Sequence, residues 1–314
     1  MSNKFNLIML SATFEAGGNT THRHLDSHPQ LMVYPTESML GTPNSANILT
    51  PAVPFRYAWP SFDSEVTPEQ AYHLFYDEEV KTFLRTRYRS KFKDCGMEMD
   101  EKDRIRAFIN TAQAPYQRRG YVEAYFRSTF EAWKNFARTG RETHYVGYLP
   151  AIHMDADKFF QDFPDGHMIY VSRNPWSGFS DTIKRPFPWS LEKYCQLWNV
   201  FQSHAKICQI KYHGRFHVIR YEDLVRSPAG TLNRVMENIG LDRFAETPAP
   251  SFNRTPLTQV YPWGTIKSAT REANIATAQE LSLIQAKAIE TECYFQLVEW
   301  GYEAADFGLN PHED

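Results

Sequence analysis

Apolar, β-branched and aromatic residues gather in five short runs, "FNLIML" (5–10), "LMVYP" (31–35), "HYVGYL" (144–149), "HMIYVSR" (167–173) and "FHVIRY" (216–221). Each is bounded by turn or helix signals, and stretches of helical spacing lie between most of them. This alternation predicts an α/β fold, a central parallel sheet flanked by helices. The long interval from about 41 to 143 breaks the pattern. It opens with the proline-rich, aromatic "TPAVPFRYAWPSF" and turns helical at "TPEQAYHLFYDEEVKTFLRTRYRSKF", where Thr67, Pro68 and Gln70 form a capping-box start. A second helix is expected in "APYQRRGYVEAYFRSTFEAWKNFARTG", stopped by Gly140. The interval therefore reads as a helical insert over the carboxyl edge of the sheet, within a single domain spanning 1–314.

Beyond it, "SLEKYCQLWNVFQSHAKICQIKYHG" and "SPAGTLNRVMENIGL" read as helices, the first closed by Gly214 and the second entered through Ser227 and Pro228. Residues 242–275 carry no strong period and predict a mobile loop. One long helix, "ATAQELSLIQAKAIETECYFQLVEWGY", is expected to end the pattern.

Composition narrows the chemistry. Hydrophobic residues make up 42% and charged residues 23% of the 314, as in an ordinary globular enzyme. A formal charge of −3 gives no general attraction to nucleic acid or to an anionic membrane, so an anion site has to be built locally. The four cysteines, Cys95, Cys195, Cys208 and Cys293, have neither zinc-ligand nor disulfide spacing. A reducing cytoplasm is the matching expectation. No stretch approaches the roughly 20 apolar residues that span a bilayer. His22, His24 and His28 lie close together but lack an accompanying set of carboxylates, and no metal is expected.

Two stretches carry candidate chemistry. "FEAGGNTTHRHLDSHP" (14–29) follows the first strand as a glycine turn entering a helix, with amides at Gly17, Gly18, Asn19, Thr20 and Thr21 available to an anion. It lacks the Gly-Lys-Ser/Thr that a nucleotide-hydrolysing loop uses to reach β- and γ-phosphates and magnesium. Alone, it reads equally as a turn in which Asn19 caps a helix. In "IYVSRNPWSGFSDTIKR" (169–185), a strand delivers Arg173 into a turn followed by a helix bearing Ser177, Ser180 and Thr182, a second place to grip a phosphate. The alternative for Arg173 is an ion pair with Asp181 across that turn.

Together with "HVIRYEDLVRSPAGTLNRVMENIGL" (217–241), these stretches resemble the sulfotransferases that use 3′-phosphoadenosine 5′-phosphosulfate (PAPS). The resemblance covers about residues 5–40 and 144–241, and a fainter echo runs from "SFNRTPL" to "VEWGY". It implies a P-loop-like three-layer fold and sulfuryl transfer, without a metal, to a hydroxyl or amine of a small-molecule acceptor. It also implies that residues 17–21 hold the phosphosulfate and that Arg173 and Ser180 hold the 3′-phosphate. Family members draw their base from a glutamate after the second strand or from a histidine on a strand-end loop, which here correspond to Glu37 and His153.

Two departures stand out. Glu15 occupies the place of the usual loop cation, leaving Arg23 and Lys184 as substitutes, and Asp181 occupies the place of the usual serine. A non-catalytic nucleotide-binding descendant and a P-loop-like small-metabolite kinase are the rival readings.

Overall fold

The computed structural model describes residues 4–47, 49–112, 114, 117–258, 266 and 268–309. The chain opens with β1 (Leu7–Ala12), α1 (Gly18–Leu25) and β2 (Leu31–Val33). The insert contributes α2 (Pro68–Leu74), α3 (Glu78–Arg85), α4 (Glu101–Thr111) and α5 (Arg118–Ala132). The chain returns to the sheet through β3 (His144–Tyr148), α6 (Ala156–Asp162) and β4 (His167–Ser172), then α7 (Pro175–Thr182), α8 (Leu191–Lys211) and β5 (Phe216–Arg220). It continues with α9 (Tyr221–Arg226), α10 (Pro228–Ile239), α11 (Arg271–Ala278) and α12 (Leu283–Trp300).

The five strands form a parallel sheet in the order β2-β3-β1-β4-β5. Alternate residues feed two cores. Leu7 and Met9 join Tyr145, Met168 and Tyr170 on one face, while Ile8 and Leu10 join Val146, Ile169 and Val171 on the other. Helices cover both: Phe126 of α5, Trp198 of α8 and Ile289 of α12 belong to the first core, and Leu25 of α1 and Leu232 of α10 to the second. Burial on two faces explains why the runs read as nearly continuous apolar stretches.

The chain leaves β1 toward the β2 side of the sheet and leaves β4 toward the β5 side. Neighbouring strands whose exits diverge leave a crevice at their carboxyl ends. The loops beginning at Thr13 and Arg173 flank it.

The expected helices are broken differently. The stretch 67–92 starts with the predicted capping box but divides into α2 and α3, because Asp77 adopts a left-handed φ of 38° and buries its carboxylate. The sequence reading missed α4, whose start is capped by Asp100 accepting from the amides of Lys102 and Asp103. The helix expected over 114–140 is α5 alone, which ends at Trp133; Gly140 is left-handed but lies well past that end. Residues 115 and 116 fall outside the described residues. The last expected helix is two, because Ser282 and Gln285 form a second capping box that starts α12.

The stretch 242–275 holds a short antiparallel hairpin pairing Ser251–Phe252 with Thr255–Pro256, then the beginning of α11. For 259–265 and 267, the expected loop lies outside the described residues. The insert also does more than rim the carboxyl edge: α5 packs across a sheet face, where Gly147 leaves room for Phe126. Among the described residues no helix is long and apolar enough to cross a membrane.

Candidate active site

After β1 the chain turns through Glu15 and Gly17, both at positive φ (57° and 87°), and enters α1 at Gly18. Two aromatic rings make both glycines necessary. A Cβ on Gly17 would collide with the Tyr221 ring, and one on Gly18 would lie 2.5 Å from Tyr148 Oη. Gly17, rather than Asn19, occupies the cap position and offers no side-chain bond. The first-turn amides therefore lack intrahelical partners, as at any helix start. Asn19 Oδ1 is buried with no hydrogen-bond partner, while the buried Thr20 hydroxyl faces the Tyr221 hydroxyl as a hydrogen-bond partner. Asn19 and Thr20 line a cavity of about 490 Å³ bounded by the loop 14–20, Glu37, Tyr57, Tyr148 and three cations, Lys91, Lys184 and Arg185. The open first-turn amides, the glycine-thinned backbone and the cations lining the cavity suit an anionic group.

Glu37 follows β2 and is positioned from two sides. Its amide donates to Glu79 Oε2 (3.0 Å), and its Oε1 accepts from Asn19 Nδ2 (3.4 Å). Burial and the neighbouring Glu79 carboxylate raise its pKa to about 7, against the opposing pull of Lys91 and Asn19. Lys91 is itself ion-paired with Glu79. Arg185 reaches back over the loop, with Nε 3.6 Å from Glu15 Oε1 and its guanidinium 5.2 Å from the Phe14 ring centroid. An acid thus occupies the usual place of the loop cation and holds a cation that comes from beyond α7.

At the end of β4, Arg173 is almost fully buried. Its Nε donates to Asn274 Oδ1 (2.7 Å), and its Nη1 donates to Glu15 O (2.7 Å) and Asp181 Oδ2 (2.7 Å). The pair with Asp181, one of the two readings of the sequence, is therefore present. Arg173 also lines a cavity of about 190 Å³ with Asp181, Tyr221 and Asn274, and this space shares Lys184 and Ile266 with the loop cavity. Glu222, in the first turn of α9, braces the arrangement. Its Oε1 accepts from Asn174 N (3.0 Å), Asn174 Nδ2 (2.8 Å) and Asn274 Nδ2 (3.3 Å).

Gly17, Gly18, Asn19, Thr20 and Glu37 thus meet around one cavity, and Arg173 faces the adjoining one. Three expected residues are turned elsewhere. Thr21 Oγ1 donates to Gly17 O within its own helix (3.0 Å). Ser180 Oγ donates to Glu280 Oε2 (2.8 Å), since a residue one place before Asp181 on α7 points away from Arg173. His153 is fully buried, its Nδ1 2.9 Å from Ser11 Oγ and its Nε2 3.3 Å from Phe201 O. Burial and His204 lower its pKa to about 3, and it lines none of the cavities described here.

The proposed substitute cations also separate. Arg23 is buried and donates to Tyr34 O (3.1 Å), whereas Lys184 stays at the cleft between Asp181 (3.1 Å) and Glu280 (2.6 Å). Lys91 and Asn274 had no sequence signal, lying in the insert and in the unpatterned carboxy-terminal region. The three clustered histidines point to separate partners: His22 to Arg23, His24 to Thr20 O and His28 to Asp242 O.

The sequence matches the model of the Sulfotransferase family over residues 15–246. No curated protein matches it. Among solved structures, the sulfotransferase domain of the olefin synthase of Synechococcus PCC 7002 is similar at 15% identity and a TM-score of 0.54, with 96% of this chain and 97% of that one covered. The sulfotransferase domain from the curacin biosynthetic pathway is similar at 14% identity and a TM-score of 0.52, with 96% and 99% covered.

Proposed function

Because the chain belongs to the sulfotransferase family, we propose that it moves a sulfuryl group from PAPS to a hydroxyl of a small-molecule acceptor, with Glu37 as the base. The supporting observation is that Glu37 and the open first turn of α1 face one cavity, with Lys91 and Arg185 on its wall. In this reading the amides of 18–20 and Thr20 Oγ1 hold the phosphosulfate. Arg173, Asn274 and Lys184 hold the 3′-phosphate, for which Asp181 gives up Arg173 and stays on Lys184.

Glu37 accepts the acceptor's proton as the hydroxyl oxygen bonds to sulfur. The bond from sulfur to the bridging phosphate oxygen breaks, and its electron pair leaves with the phosphate. The amides, Arg185 and Lys91 meet the charge that develops there. A carboxylate with a pKa near 7 suits proton abstraction at neutral pH.

Calorimetry with adenosine 3′,5′-bisphosphate, followed by chromatographic detection of its acceptor-dependent release from PAPS, tests the reading. Saturable binding and release are expected. Absence of binding, or magnesium-dependent phosphate transfer from ATP instead, overturns it.

A further inference from the structure

Next to Glu37 the cleft opens into a third cavity of about 420 Å³, which shares Glu37, Tyr57, Lys91 and Arg185 with the loop cavity. The insert builds its far wall from Arg56, Glu78, Glu79 and Arg89. Pockets for small molecules are ordinarily apolar with a few polar groups. Here the proportions are inverted, the apolar share coming from Met39, Phe92 and the Tyr57 ring.

The charges are of both signs and largely paired. Arg56 Nη1 lies 3.3 Å from Glu78 Oε2, and Lys91 pairs with Glu79. A carboxylate in such a pair keeps lone pairs to spare, and a guanidinium keeps N–H donors. An apolar acceptor filling this space would strip water from those groups and give nothing in return, leaving polar groups unsatisfied at a cost in affinity. Each hydroxyl of a polyol both donates and accepts, so it can satisfy walls of either sign.

We propose that the acceptor is a hydrophilic, polyhydroxylated compound of the carbohydrate class. One of its hydroxyls sits at Glu37 and the others lie between the Arg56–Glu78 pair and Arg89. This inference rests on the sulfotransferase reading and assigns the substrate class of the same site.

Saturation-transfer NMR on the full chain with adenosine 3′,5′-bisphosphate present, using methyl glucoside and myo-inositol against 2-naphthol as probes, tests it without turnover. The polyols should bind and 2-naphthol should bind at least about tenfold more weakly. Arg56→Met with Glu78→Met, which removes a pair without unbalancing charge, should reverse that order. Arg89→Ala, at an exposed position, should weaken polyol binding severalfold with the fold intact. Preference of the wild type for 2-naphthol, failure of both polyols to bind, or polyol binding unchanged in all variants overturns the acceptor class. Failure of the bisphosphate itself to bind overturns the sulfotransferase reading instead.

Discussion

In the proposed reaction Glu37 is the residue on which the chemistry turns. Its carboxyl has a raised pKa of about 7 because it sits in a half-buried wall facing another carboxylate, Glu79. A base has to be ionised, so kcat should rise with pH through about 7 and level off above it, and Glu37→Gln should lower kcat by roughly 100-fold or more with bisphosphate affinity retained. A flat profile over pH 5 to 9 would remove Glu37 from the reaction. The same shift couples to stability. Since folding raises this pKa, the native state binds more protons than the unfolded chain between the ordinary carboxylate range and about 7, and it loses stability as pH climbs through that window. Glu37→Gln should therefore melt higher than the wild type at pH 8 and not at pH 4.

Arg185 carries a second prediction at this scale. Arg185→Ala should lower turnover by about 100-fold, the usual effect of removing a donor to developing charge. Glu15→Lys in the Arg185→Ala background should restore much of it by returning a cation to the loop. Equal rescue by Glu15→Gln, which removes the acid without supplying a cation, would show that Arg185 serves only to neutralise Glu15.

At the scale of elements, the turn from β1 into α1 shows how a local preference is overruled. Gly18 is the first residue of α1 and is not left-handed, so its backbone alone would tolerate alanine. The Tyr148 ring lies where the new methyl would go. Gly18→Ala should therefore lower the Tm and weaken bisphosphate binding about tenfold, and a Tm equal to or above that of the wild type would show that the ring can move aside. The glycines were legible in the sequence as a turn, but their partners were not, because Tyr148 and Tyr221 come from strand ends more than a hundred residues away. Glu222 is similar: the stretch after β5 was legible as part of the resemblance, while its three bonds to Asn174 and Asn274 depend on how β4 and α11 meet. Thr21 fits the loop motif by spacing and Ser180 misses its place by one residue; both point elsewhere, since a side chain on a helix changes face within one residue.

For the whole molecule, the buried Asp77 joins the insert to the sheet. Its Oδ1 accepts from Tyr34 Oη (2.9 Å) and Tyr125 Oη (2.7 Å), and its Oδ2 from Arg104 Nη1 (2.6 Å). These groups come from the segment after β2, from α4 and from α5. Removing one partner of a buried ion pair leaves the other charge uncompensated. Asp77→Ala should cost about 3–5 kcal/mol by urea unfolding, and adding Arg104→Leu should recover part of the loss. A loss below about 1 kcal/mol would show that the insert docks by apolar packing alone.

The sequence by itself determined the five strands, the parallel class of the sheet, the loop after β1, the arginine at the end of β4 and Glu37 after β2. These follow from the order of apolar runs, turn residues and caps, which are local properties of the chain. Only the tertiary structure decided that α5 covers a sheet face, that Asp181 sits on Arg173, that His153 is turned into the core, and that Lys91 and Arg185 meet at the cleft. Each depends on which distant side chain occupies the next ångströms of space, and composition and periodicity carry no record of such neighbours.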